Sequence, residues 1–207
     1  MALSDLDICS QALTLLRASP ISSFNEGTNE ADICKLLYND FVAASLTLHP
    51  WTFATKKSFL SRELATPVNE YKYIHIVPAE ALLIWAVFNS NQANVSPVNN
   101  YDIYASDGGR RIYSNYETLY ADYTVYASET VWPHYFVQFM IHAFAAHIAV
   151  PVCHDETLAQ YYTTKAYGSP GGNMKGGLFG AAASTDSKQK RNEFIFSSPI
   201  IAARFST

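Results

Sequence analysis

The hydrophobic pattern changes period twice along the chain, and each change limits the architectures open to it. Leu6, Cys9, Leu13 and Leu16 step by three and four, as do Ile33, Leu37, Phe41, Ala44 and Leu48. From Trp51 to about Thr130 the helical step disappears. Leu119, Ala121, Tyr123, Val125 and Ala127 alternate there with Tyr120, Asp122, Thr124 and Tyr126, the pattern of a half-buried strand. Helical spacing returns at Trp132 and lasts to Ala166. An amphipathic helix must bury its stripe against another element, so the outer segments are expected to share one core. The pattern predicts an α+β fold: a four-helix bundle with an inserted small antiparallel β domain and an extended C-terminal arm. The expected boundaries are 1–50 and 131–168 for the bundle, 51–130 for the β region, and 169–207 for a flexible, glycine-rich arm.

Local signals refine these elements. Ser4 and Asp7 have capping-box spacing, and a helix is expected from Asp5 to Ala18, ended by Pro20. Thr28 can cap a second helix with Glu30 in its first turn, and Pro50 stops it near Leu48. Strands are expected at Tyr71–Val77 and Ala81–Phe88. A hairpin is expected where Tyr101–Ala105 and Arg111–Tyr113 flank Ser106-Asp107-Gly108-Gly109. Pro133 suits the first position of a third helix, with Phe136, Met140, Ala143, Phe144 and His147 on one face and Pro151 closing it. Asp155 and Glu156 open a fourth, ended by Gly168. Six of the nine glycines then fall in Gly168–Gly180, the composition of a linker. Lys188, Lys190 and Arg191 follow, and the apolar residues Phe194, Ile195, Phe196, Ile200, Ile201 and Phe205 come last. A linker that ends in an apolar peptide is expected to dock.

Only 15% of the 207 residues are charged, against roughly 25% in an average domain. Fourteen are tyrosines, and nine of these lie between Tyr71 and Tyr126. Few charges and many tyrosines predict surface that faces protein rather than water. Tyr101, Tyr104, Tyr113, Tyr116, Tyr120, Tyr123 and Tyr126 are the expected subunit-interface residues. Charge is also uneven. Residues 1–167 hold nine basic and sixteen acidic side chains, and residues 168–207 hold five and two. An acidic body argues against tight nucleic-acid binding, and the basic tail suggests a partner surface. The three cysteines, with no CxxC, fit small buried residues of a reducing compartment. No signal peptide is read at Met1–Asp5, and the apolar stretches are too short or too interrupted to predict a membrane span.

No chemistry-bearing constellation stands out. His142 and His147 are five apart, not the i, i+4 spacing of paired helical ligands, and Cys153-His154 has no second pair nearby. Asp5/Asp7 and Asp155/Glu156 sit at helix starts, where capping explains them. No Gly-x-Ser-x-Gly elbow exists, and Gly171–Gly177 with Lys175 lacks the Gly-Lys-Ser/Thr ending of a phosphate loop. No catalytic residue, cofactor or metal is therefore expected. Two rival classes remain. One is a small-ligand module using the tyrosine surface, and the other an enzyme assembled from His75, His134 and Asp122.

The order of parts resembles the head-to-tail adaptor (connector) proteins of tailed bacteriophages, the tail tubular protein A-like group. The residues that carry this are Leu48-His49-Pro50-Trp51-Thr52-Phe53-Ala54 at the end of the second helix and Ile76-Val77-Pro78-Ala79-Glu80-Ala81-Leu82 leading into a strand. To these are added Gly109-Arg110-Arg111-Ile112-Tyr113-Ser114-Asn115 at the hairpin, and Trp132-Pro133, Phe136, Ala143–Ala149, Pro151 and Asp155-Glu156 in the later helices. The likeness spans roughly residues 3–167. It implies a non-enzymatic virion protein at the head–tail junction, assembled in the host cytoplasm as a homo-oligomeric ring of twelve. Its partners would be the portal protein and the tail nozzle or tube, with DNA passing through the lumen without specific binding and no membrane involved. The arm, through Lys188, Lys190, Arg191 and Phe194–Phe205, would dock on the portal. A stopper or terminator ring of the same tail machine is the related alternative.

Overall fold

A computed structural model describes residues 4–92, 95–172 and 175–189. Among the described residues five α-helices are formed: α1 (Asp5–Leu15), α2 (Asn29–Leu46), α3 (His134–Cys153), α4 (Glu156–Tyr167) and α5 (Gly177–Ser187). The expected caps are made. The Ser4 hydroxyl accepts from the Asp7 amide at 3.1 Å, while the Ser4 amide donates to the Asp7 carboxylate at 2.9 Å. Thr28 and Asp155 cap α2 and α4 through their side chains alone, accepting from the Ala31 and Leu158 amides. Pro133 is the N-cap of α3 rather than its first residue, and Pro151 lies inside its last turn. The helix runs on to Cys153 and ends at His154, whose φ is +53°.

α3 is the centre of the helical layer, packed by α1, α2, α4 and α5. That explains its composition, since a helix surrounded by others is apolar on every side. It is long and apolar enough to cross a membrane by length and composition, but most of it is buried in this core. Trp51, fully buried just after α2, is the hub. Its ring lies 4.8 Å from Phe136, 6.0 Å from Phe53 and from Phe179, and 6.4 Å from Phe139.

Seven strands are formed by the described residues between Thr55 and Val125: β1 (Thr55–Phe59), β2 (Arg62–Glu63), β3 (Tyr73–Ile76), β4 (Ala81–Phe88), β5 (Tyr101–Ser106), β6 (Gly109–Ser114) and β7 (Tyr120–Val125). All pairings are antiparallel. The orders are β1-β7-β4 in one sheet, sheet A, and β2-β3-β6-β5 in the other, sheet B. The strand from β1 to β2 passes between the sheets at Leu60, whose amide donates to the Leu119 carbonyl at 2.8 Å. The inner faces share a core of their own, including Leu60, Val77, Val87, Ile112, Leu119, Ala121 and Tyr123.

The fold is therefore not a four-helix bundle with a small inserted β domain and a free arm. It is a mixed fold of five helices and two antiparallel sheets, with separate helical and β cores. The extended-arm expectation fails at the described residues 169–172 and 175–189, which hold a 3₁₀ turn at Pro170–Gly172 and then α5. The physical reason is that glycine permits close approach as well as flexibility. A Cβ on Gly168 would lie 2.8 Å from Gly176 Cα, and one on Gly177, at φ +57°, would lie 2.5 Å from the Lys165 carbonyl oxygen. Residues 190–207, which carry the rest of the expected arm, lie outside the described residues.

Candidate functional site

The base of the C-terminal segment is fixed by one buried carboxylate. Asp186, in the last turn of α5, is 0% exposed. It accepts from the Thr52 amide at 3.0 Å, the Thr52 hydroxyl at 2.7 Å and the Tyr135 hydroxyl at 2.8 Å. His49 Nε2 lies 3.6 Å from Oδ2, the oxygen that accepts from the Thr52 amide. Gln189 extends the network by donating to the Tyr135 hydroxyl at 3.2 Å. Burial, with the hydrogen bond to Asp186, pushes the Tyr135 phenol up to about 12, so it stays a donor. The segment His49–Thr52 that closes α2 is thus tied to the end of α5. Phe179 packs on Trp51 and Phe139, and Ala182 is buried in the same helical core. Sequence reasoning missed Asp186. The sequence offered no signal for it, because α5 was not expected and its partner Thr52 lies 134 positions away.

Of the expected docking residues, Lys188 is exposed one residue past α5. Lys190, Arg191, Phe194, Ile195, Phe196, Ile200, Ile201 and Phe205 lie outside the described residues.

The expected interface tyrosines divide into several groups. Tyr123 is buried at 2% exposure with its hydroxyl on Glu80 at 3.0 Å, so it is core and is withdrawn from the interface set. Its place in the alternating pattern, in step with Ala121 and Val125, already pointed inward. Tyr101 is half-buried and packs against the β core. Tyr104 and Tyr113 stand together on the outer face of sheet B, rings 5.4 Å apart. Tyr120 lies on the outer face of sheet A against Phe59, at 5.6 Å. Tyr116 is exposed in the turn after β6. Tyr126 is exposed near α2, its hydroxyl donating to Asn39 at 3.3 Å.

The residues of the rival enzymatic reading do not converge. His75 is buried on the inner face of sheet B, Asp122 is on the outer face of sheet A, and His134 begins α3. His75 Nε2 meets the Tyr116 carbonyl at 3.0 Å, a structural contact. Among the described residues, no three His, Cys, Asp or Glu gather as metal ligands. Cys9, Cys34 and Cys153 are free thiols. An open groove of about 460 Å³ runs along α4 beside Thr157, Tyr161 and Lys165. These groups include no nucleophile–base pair.

No protein-family model matches the chain, and no curated protein matches it.

Proposed function

We propose that this chain is a structural head-to-tail adaptor: a ring-forming virion subunit between a portal and a tail nozzle or tube. DNA would pass through its lumen. The order of parts in the sequence supports the reading. The observation that carries it furthest is the Asp186 anchor, which holds α5 against the helical core and so fixes the point from which residues 190–207 depart. A tethered basic and apolar peptide of eighteen residues can extend up to roughly 60 Å at 3.3–3.6 Å per residue. Its start is held by the fold, so less ordering entropy is lost when it docks. Lys190 and Arg191 would pair with acidic portal groups, and Phe194–Phe205 would supply the apolar anchor.

The test is a pull-down on the portal with the full chain and with a chain ending at Gln189. The shortened chain keeps α5 and is expected to fold with an unchanged melting temperature while losing portal binding. Undiminished binding would overturn the arm's role.

A further inference from the structure

The two sheets turn their inner faces to one core, so their outer faces look away from each other, and both are aromatic. On sheet A, Phe59, Tyr120 and Phe88 stand in register across the three strands. Phe59 is 55% exposed and packs edge-on against Tyr120. Lys57 Nζ sits 4.0 Å above the Phe88 ring, and Trp85 is pinned by its hydrogen bond to Thr124 at 2.7 Å. On sheet B, Tyr71 and Tyr104 both donate to Asp102, at 2.8 and 3.3 Å, and Tyr113 packs against Tyr104. Asp102 is the main cause that raises the phenols of Tyr71 and Tyr104 above their ordinary value. Arg111 is paired with Glu63 at 2.7 Å, and Asp102 is the acid beneath the tyrosines of that face.

Exposed aromatic clusters held rigid by their own hydrogen bonds are what interface hot spots are made of. Two different patches on one unit form a heterologous contact, and repetition of such a contact gives a ring when the rotation per subunit closes and an open filament when it does not. We infer that the outer face of sheet A of one copy packs on the outer face of sheet B of the next, with Lys57 set toward Asp102. The occupant of each face is a second copy of this chain. The inference rests on the ring reading above and names its lateral contact.

The experiment uses the full chain with its portal, read by sedimentation velocity and negative-stain class averages. Phe59→Asp and Tyr104→Asp each place a charge in one patch and are expected to weaken subunit association by about thirtyfold or more and abolish rings. Mixing the two variants leaves one intact pair of faces, so dimers and no rings are expected. Lys57→Glu is expected to weaken assembly, and Lys57→Glu with Asp102→Lys to restore it. The charge pair decides the matter if an aspartate variant loses its near-UV circular dichroism. Native rings from all these variants would overturn the sheet contact while leaving the adaptor reading intact. So would loss of nozzle binding with rings unchanged, because the faces would then serve the tail. A wild-type chain that forms no ring would overturn both.

Discussion

Asp186 is buried at the negative end of a helix, where its charge is opposed by the dipole. Three donors from Thr52 and Tyr135 offset that cost. Asp186→Ala would strand the Thr52 amide and the Tyr135 hydroxyl, and is expected to destabilise the fold by about 2–4 kcal/mol, measured by urea unfolding. A change within ~0.5 kcal/mol would mean the network is not the anchor. His75 supplies a pH dependence. Burial holds its imidazole below the ordinary histidine value. As pH falls below about 6.5 the unfolded chain binds a proton that the folded chain does not, so stability is present above that pH and lost below it. Unfolding midpoints at pH 7.5 and 5.5 are expected to differ in that sense, and His75→Gln to reduce the difference. A midpoint that rises on acidification would contradict a neutral, buried His75. Neither residue could be placed from its neighbours in sequence. Asp186 lies 134 positions from Thr52, and His75 needs Tyr116 to explain it.

At the scale of elements, the glycines between α4 and α5 decide what the C-terminus is. Gly168 and Gly177 sit where two backbones touch, and both have positive φ. Gly177→Ala is expected to lower stability by more than the ~1 kcal/mol of an ordinary helix-interior change, because the new methyl meets the Lys165 carbonyl. Phe179→Ala, which opens a hole beside Trp51, is expected to cost about 3–5 kcal/mol. If both variants melt within a degree or two of wild type, α5 is not part of the core. The first four helices were readable because caps and three-four spacing are local. The α3 boundary at Pro151 was misread because a proline in a final turn gives up only one hydrogen bond near the helix end. β4 and the β5–β6 hairpin were readable from their apolar run and paired glycines. β1 and β2 lack such a signature, since Thr55-Lys56-Lys57-Ser58-Phe59 becomes a strand only by pairing with β7. α5 was hidden because composition does not separate glycine that bends freely from glycine that lets helices meet.

For the whole molecule, the scarcity of charge now has an address. The helical core takes up most of the large side chains, including Trp51 and Trp132. The residual aromatics of the β region lie on two opposed outer faces rather than in one tyrosine patch. Of the seven tyrosines expected at an interface, Tyr104, Tyr113 and Tyr120 lie on these outer faces. The order of parts was legible because it follows chain direction. The separate β core was not, because its sheets are joined by pairings such as Leu60 to Leu119 that lie far apart in sequence. The adaptor reading is tested most directly by cryo-electron microscopy of the chain assembled on its portal. A closed ring of twelve copies beneath the portal, with the β faces in lateral contact and residues 190–207 rising onto the portal, is the expected result. Monomers or open, irregular clusters beside an unoccupied portal would contradict it.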